Sequence, residues 1–146
     1  MPAGGFYDKQ KKTNKIPVIK NFAKEIFIST DKGFFQGLII NLSSGGLLLL
    51  MYVDLPVGTK VCLLFDYPPL ETDTIFGEVI RSAKTKALVR EVAIKFTNIS
   101  TLDSKRINRL AIDYTDCENK IMLGALDVCR KECSYYNLCE KKLKIK

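Results

Sequence analysis

The chain of 146 residues contains no histidine and no tryptophan. Without histidine it has no histidine-based catalytic triad, no imidazole general base and no imidazole metal ligand. A long hydrophobic run is also missing, because the longest purely apolar segment, Leu47–Val53, is far shorter than the roughly 20 residues of a transmembrane helix. Since Met1–Gly5 lacks the charged-then-apolar order of a signal peptide, we expect a cytoplasmic protein without a membrane span.

The charge of the chain is positive. Lys and Arg total 23 against 16 Asp and Glu, which gives a net charge of +7. This balance favours anionic partners such as nucleotides, nucleic acid or acidic lipid, without choosing among them. Hydrophobic residues make up 47% of the chain, which is enough to bury a core, and the length fits one domain with a small appendage.

From Ile16 to about Ile99, short apolar runs alternate with turn residues. Six such runs at spacings of about ten residues predict a small antiparallel barrel or sandwich. The predicted strands are Glu25–Thr30, Phe34–Ile40, Leu47–Tyr52, Lys60–Asp66, Thr74–Ser82 and Arg90–Phe96. In the fifth strand we expect one face to carry Ile75, Gly77, Val79 and Arg81. In the last we expect Val92, Ile94 and Phe96 to share a face.

The pattern becomes helical after Ser100. Apolar residues recur at spacings of three and four through Ile107, Leu110, Ala111 and Tyr114, which predicts an amphipathic helix. We expect part of 119–139 to be helical as well. The predicted organisation is a flexible basic arm at 1–15, a barrel with its helix at 16–115 and a cysteine-rich helical extension at 116–146.

One turn carries unusual chemistry. The apolar strand before Asn41 and the one after Gly46 are joined by a segment of Asn, Ser and Gly residues. Asn and Ser side chains can bond the backbone of a turn, and glycine allows close approach. The residues alone leave two interpretations open, an ordinary hairpin turn and a surface that binds a ligand.

This order of parts resembles the PilZ domain family, bacterial receptors for the second messenger cyclic di-GMP. Asn41, Ser43 and Gly46 match the fixed positions of the family's D/NxSxxG motif, and 56–61, 76–81 and 92–96 look like its later strands. The likeness covers residues 11–114. It implies a mainly β fold, a six-stranded antiparallel PilZ-like β-barrel followed by C-terminal helices. It also implies cyclic di-GMP as the ligand.

The arm departs from the family pattern. The family has an RxxxR motif where this chain has Lys11, Lys12 and Lys15 in the segment Lys-Lys-Thr-Asn-Lys. Arginine presents a planar fork that stacks on guanine and bonds phosphate at two points, whereas lysine is a point charge. We expect these lysines to contact the ligand together with Asn41, Ser43 and Gly46, and we expect binding to be weakened or lost.

Four cysteines lie near the C-terminal end, at Cys117, Cys129, Cys133 and Cys139. Their spacing lacks the CxxC pairs of common zinc sites and has only a loose likeness to iron–sulfur clusters. Three interpretations stay open: a tetrathiolate site for zinc or an iron–sulfur cluster, reduced cysteines that pack helices, and redox-active disulfides. Cys62 lies in an apolar strand, where we expect an inert core residue.

Two functions follow from these patterns. The first is a receptor or adaptor that binds cyclic di-GMP and changes its surface toward a downstream protein. The alternative is a degenerate PilZ scaffold without nucleotide binding, which acts as an interaction module through a metal-binding or redox-sensing tail.

No catalytic constellation is present, since neither serine nor cysteine has a histidine base, so we expect no enzyme. Nucleic-acid binding is disfavoured, because no pair of strands is rich in aromatic residues.

Overall fold

The computed structural model describes residues 16–68, 70–85, 87–124, 133–135 and 138–139. Lys11, Lys12, Lys15 and Cys129 lie outside them. The described residues form eight strands and one helix. The strands are β1 (Ile19–Thr30), β2 (Gly33–Ser43), β3 (Gly46–Met51), β4 (Lys60–Leu63), β5 (Asp66–Tyr67), β6 (Leu70–Glu71), β7 (Ile75–Lys84) and β8 (Arg90–Asn98), and the helix is α1 (Thr101–Met122).

Six strands close into an antiparallel barrel in the order β1-β2-β3-β8-β7-β4, while β5 and β6 form a separate two-stranded hairpin. This confirms the predicted fold class, with one helix among the described residues. Inward and outward side chains alternate along each strand, so every strand gives one face to the interior of the barrel. Thus Val92, Ile94 and Phe96 of β8 all point into the core, as the sequence predicts.

Two sequence predictions about side-chain direction were wrong. Arg81 does not share the inward face of Val79, because the register of β7 with β8 shifts between these two residues and both Ile80 and Arg81 are exposed. Cys62 is half-buried rather than a core residue. In the short strand β4 the inward positions belong to Val61 and Leu63, so the two-residue period of a strand turns Cys62 outward.

Strand β1 contains an irregularity near its start. Its register with β2 shifts between Lys20 and Lys24, and within this bulge Asn21 and Ala23 have φ angles of 56° and 57°. A left-handed conformation costs a non-glycine residue about 1–2 kcal/mol. The bulge turns Phe22 fully into the core, and burying such a side chain contributes about 1.5–3 kcal/mol, which offsets much of the strain.

Helix α1 begins at a side-chain cap. Ser100 precedes the helix, and its Oγ accepts a hydrogen bond from the Asp103 backbone N–H at 3.0 Å. This satisfies one of the amide groups that the first helical turn leaves without a partner. The predicted apolar face is confirmed, since Ile107, Leu110 and Ala111 are buried.

Polar contacts hold α1 against the barrel at its start and past its middle. Asp103 is almost fully buried, and its Oδ2 accepts a hydrogen bond from the Asp73 backbone N–H at 3.1 Å. Past the middle of the helix, Tyr114 Oη donates a hydrogen bond to the Lys20 carbonyl oxygen at 2.9 Å. The helix is thereby attached directly to the bulge of β1.

The described part of the C-terminal extension packs on α1 and the barrel. Ser134 donates hydrogen bonds to Asp113 Oδ2 from its backbone N–H at 2.9 Å and from its Oγ at 2.6 Å. The Tyr135 ring lies 5.4 Å from that of Tyr114 and 6.3 Å from that of Phe22. Of the segment 119–139, residues 119–122 form the last turn of α1, whereas 133–135 and 138–139 are not α-helical.

We predict that Phe22→Ala lowers the free energy of unfolding by about 3–5 kcal/mol, because it removes a fully buried ring and leaves a cavity under α1. Urea denaturation followed by circular dichroism measures the loss. Phe27→Ala is the matched control in the same strand, since Phe27 is 63% exposed and its removal should change stability by about 0.5 kcal/mol or less. Similar losses in both variants would contradict the role of the bulge.

Candidate functional site

The turn at 43–46 is a tight hairpin that bonds itself. Ser43 pairs with Gly46 across the hairpin, so that Ser44 and Gly45 form a two-residue loop. Ser43 Oγ accepts a hydrogen bond from the Gly45 N–H at 3.2 Å and donates to the Gly46 carbonyl oxygen at 3.4 Å. A serine hydroxyl at this position therefore stabilises the loop, as short polar side chains do in turns.

This hairpin lies directly on the backbone of β8. A Cβ atom added to Gly46 would lie only 2.2 Å from the Ile94 carbonyl oxygen, a distance at which atoms overlap. The Phe96 N–H donates a hydrogen bond to the Gly45 carbonyl oxygen at 2.9 Å. Position 46 therefore requires glycine for close approach of two backbones, whatever the turn binds.

Asn41 occupies a second irregular position. The register of β2 with β3 shifts between Ile39 and Asn41, and a bulge of this kind re-aims the side chains beside it. Asn41 is half-buried and lines a depression on the barrel surface. Within the part of the chain that the structure describes, its side-chain amide makes no hydrogen bond. An amide offers two donors and one acceptor, and all of them are available to a ligand.

The depression beside the turn has a volume of about 260 Å³ and is open to solvent. Polar groups of the turn form one side, and the outward side chains of neighbouring strands form an apolar floor. Among its described lining residues Lys95 alone carries a charge. The lining consists of Val18, Asn41, Leu42, Ser43, Gly45, Gly46, Leu47, Leu48, Ile80, Ala93, Ile94 and Lys95. Such a surface suits a flat, partly apolar ligand that carries negative charge.

The chain leads into this depression at the start of the described residues. The Ile16 Cδ1 atom is 3.6 Å from where a Cβ on Gly45 would lie, and Val18 lines the depression itself. The predicted arm residues Lys11, Lys12 and Lys15 lie outside the described residues, so their role stays a prediction. Because the arm is joined in sequence to Ile16, the point at which it meets the described chain lies beside the turn.

Sequence reasoning missed two residues of this surface, Lys95 and Ile80. The alternation of β8 places Lys95 on the outward face, and this signal is readable from the sequence. The sequence does not show the register between β3 and β8, which pairs Lys95 with Gly46. Ile80 follows the buried Val79 in β7, so the same alternation turns it outward.

The described cysteines of the extension lie in two places. Cys117 belongs to α1, while Cys133 and Cys139 pack against the core as half-buried side chains. Among the residues that the structure describes, no three Cys, Asp or Glu side chains are arranged to hold a metal ion. Because Cys129 lies outside those residues, the metal site at these four cysteines stays a prediction.

Over the described ranges, the structure contains no helix whose length and apolar character would suffice to cross a bilayer.

A family model and solved structures match this chain. The model of the PilZ domain matches residues 21–113, more than half of the chain. The inhibitor of motility MotI/DgrA from Bacillus subtilis is similar with a TM-score of 0.55 and 17% identity, over 73% of this chain and 52% of that one. The PilZ domain of YcgR from Escherichia coli with c-di-GMP has a TM-score of 0.52 and 14% identity, over 75% and 96% of the two chains.

A larger structure of YcgR from Escherichia coli, in complex with c-di-GMP, has a TM-score of 0.54 and 15% identity over 75% of this chain and 49% of that chain. The present chain therefore spans about half the length of MotI/DgrA and of this YcgR. At such identities the likeness shows a shared fold. No curated protein sequence matches the chain.

We predict that Gly46→Ala lowers the free energy of unfolding by about 1–3 kcal/mol, the usual cost of forcing an extra carbon into a packed site. Chemical denaturation measures the change. Gly45→Ala is the control, because its Cβ would meet no atom closer than 3.6 Å and should change stability by about 0.5 kcal/mol or less. If the two variants were equally stable, the close contact between the hairpin and β8 would not exist in solution.

Proposed function

Because this chain belongs to the PilZ domain family, we propose that it is a receptor for cyclic di-GMP. The observation that carries the proposal is the depression at the 43–46 turn. It brings Asn41 and Ser43 of the family motif together with Val18, which leads from the arm. The turn and the segment that follows the arm in the chain are thus neighbours on one surface, although they are far apart in sequence.

Each part of the depression has a matching part in the ligand. Cyclic di-GMP combines flat guanine bases with two charged phosphodiester groups. The apolar floor of Leu48, Ile80 and Ala93 accommodates a base, since contact with apolar side chains removes both surfaces from water. The Asn41 amide supplies directional hydrogen bonds, and Ser43 keeps the turn in shape through its own hydrogen bonds.

The arm supplies positive charge from the side of Ile16. Lys15 is joined directly to Ile16, and five residues of chain let Lys11 reach about 17 Å from Ile16 at most. Both lysines are therefore within reach of a ligand at the turn. Lysine neutralises phosphate but lacks the planar fork of arginine, so the receptor binds more weakly than one with an RxxxR arm would.

Ligand binding also changes what a downstream protein meets. When the arm folds over the nucleotide, the residues of β1 nearest to the arm lose mobility with it. The carbonyl oxygen of Lys20 accepts a hydrogen bond from Tyr114 Oη in α1. The ring of Phe22 lies beside the ring of Tyr135 in the extension. The surface formed by α1 and the extension is thus connected to the strand that follows the arm. We assign adaptor action to this surface.

We predict that isothermal titration calorimetry of the full chain with cyclic di-GMP gives saturable heat with a Kd below about 1 mM, equivalent to −4.1 kcal/mol. Asn41→Ala should weaken binding about tenfold, the cost of a lost hydrogen bond. The control is Gln36→Ala, which removes an exposed amide of the same strand that bonds Glu25. Absence of heat up to about millimolar ligand would reject the receptor and favour the scaffold without nucleotide binding.

We also predict that the double variant Lys11→Arg, Lys15→Arg binds cyclic di-GMP about tenfold more tightly. Its two planar guanidinium groups can each form paired hydrogen bonds with phosphate or guanine. The same titration measures the gain. Lys9→Arg, in the arm but outside the motif positions, is the matched control and should leave the affinity unchanged. An unchanged affinity of the double variant would show that the arm does not contact the ligand through these positions.

A further inference from the structure

The one charged residue of the depression, Lys95, has a fixed direction. It lies in β8 between Ile94 and Phe96, which are both buried. Because successive side chains of a strand point to opposite faces, Lys95 points outward, and it is exposed. Its neighbours across the two ladders are Gly46 of β3 and Glu78 of β7.

The backbone around Lys95 is attached to the turn at two points. A Cβ on Gly46 would lie 3.2 Å from the Lys95 Cα, which shows how closely the two backbones approach. The next residue, Phe96, donates its N–H to the Gly45 carbonyl oxygen. The base of the Lys95 side chain is therefore held at a constant distance from the turn, and this distance does not depend on the arm.

The positive charge of Lys95 is not neutralised by its neighbours. The carboxylate opposite it belongs to Glu78, whose Oε1 lies 2.9 Å from Lys60 Nζ on the other side. Within the described residues Lys95 has no ion-pair partner. The described lining of the depression contains no carboxylate, so this part of its surface combines an apolar floor, an amide and a single cation.

We propose that Lys95 binds a phosphodiester group of the nucleotide and is the fixed cation of this site, beside the lysines of the arm. The inference rests on the proposed receptor function and deepens it, because it assigns a phosphate contact to the barrel itself. A cation on a fixed strand needs less ordering on binding than one in a segment that must fold over the ligand, since ordering the backbone costs entropy. Lys95 thereby offsets part of what the arm loses with its arginines.

The test compares Lys95→Gln with Lys84→Gln, a change of the same charge at an exposed lysine of β7 that does not line the depression. Calorimetry with cyclic di-GMP at low and high salt should show Lys95→Gln binding about 5- to 20-fold more weakly at low salt. The difference should shrink at high salt, because ions screen exposed charges. Lys84→Gln should stay within about twofold of the unaltered chain, and Lys95→Arg should retain binding.

Two outcomes would overturn the inference in different ways. If the unaltered chain and Lys95→Gln bind equally well at low salt while Asn41→Ala is impaired, Lys95 lies outside the site and the receptor function stands. If the unaltered chain does not bind at all, both proposals fail together. Thermal melting curves of Lys95→Gln, which should match those of the unaltered chain, separate lost binding from lost folding.

Discussion

The close approach between Gly46 and the backbone of Ile94 is the constraint on which the candidate site depends. It leaves no room for a side chain at position 46, and with the hydrogen bond from Phe96 to Gly45 it holds the hairpin on β8. One contact thereby sets the position of the turn, of the Asn41 side chain behind it and of the Lys95 side chain opposite it. Gly46 is part of the ligand motif, but packing alone already requires glycine at this position. Whether Gly46 also contacts the ligand is a separate question.

The rest of the site is built at places where the strands depart from regular pairing. The bulge of β2 aims Asn41 into the depression. The bulge of β1 lies just after Val18 and contains both described non-glycine residues with positive φ. Bulges commonly re-aim side chains beside functional sites. The bulge of β1 also connects the start of this strand to α1 through the hydrogen bond from Tyr114 Oη to the Lys20 carbonyl oxygen.

The sequence predicted much of the fold and, of the residues that line the depression, Asn41, Ser43 and Gly46. Alternation along the strands identified the six barrel strands and the buried face of β8, because burial on one side of a strand leaves a readable period of two. It failed at Arg81 because a bulge adds one residue without any marker in the sequence. It failed at Cys62 because a run of apolar residues hides which ones point inward. Lys95 escaped notice since its role depends on the register between β3 and β8, which joins positions distant in the chain.

Amide-detected NMR during a titration of the full chain with cyclic di-GMP is the most direct test of whether the turn, the segment at Ile16 and Val18, and Lys95 form one site. We expect the largest shift changes at Asn41–Gly46, at Ile16 and Val18, and at Lys95. Only small changes should occur at Asp31–Gly33, which lies at the other end of β2. Changes centred on that distant turn, or none at all at saturating ligand, would contradict the account.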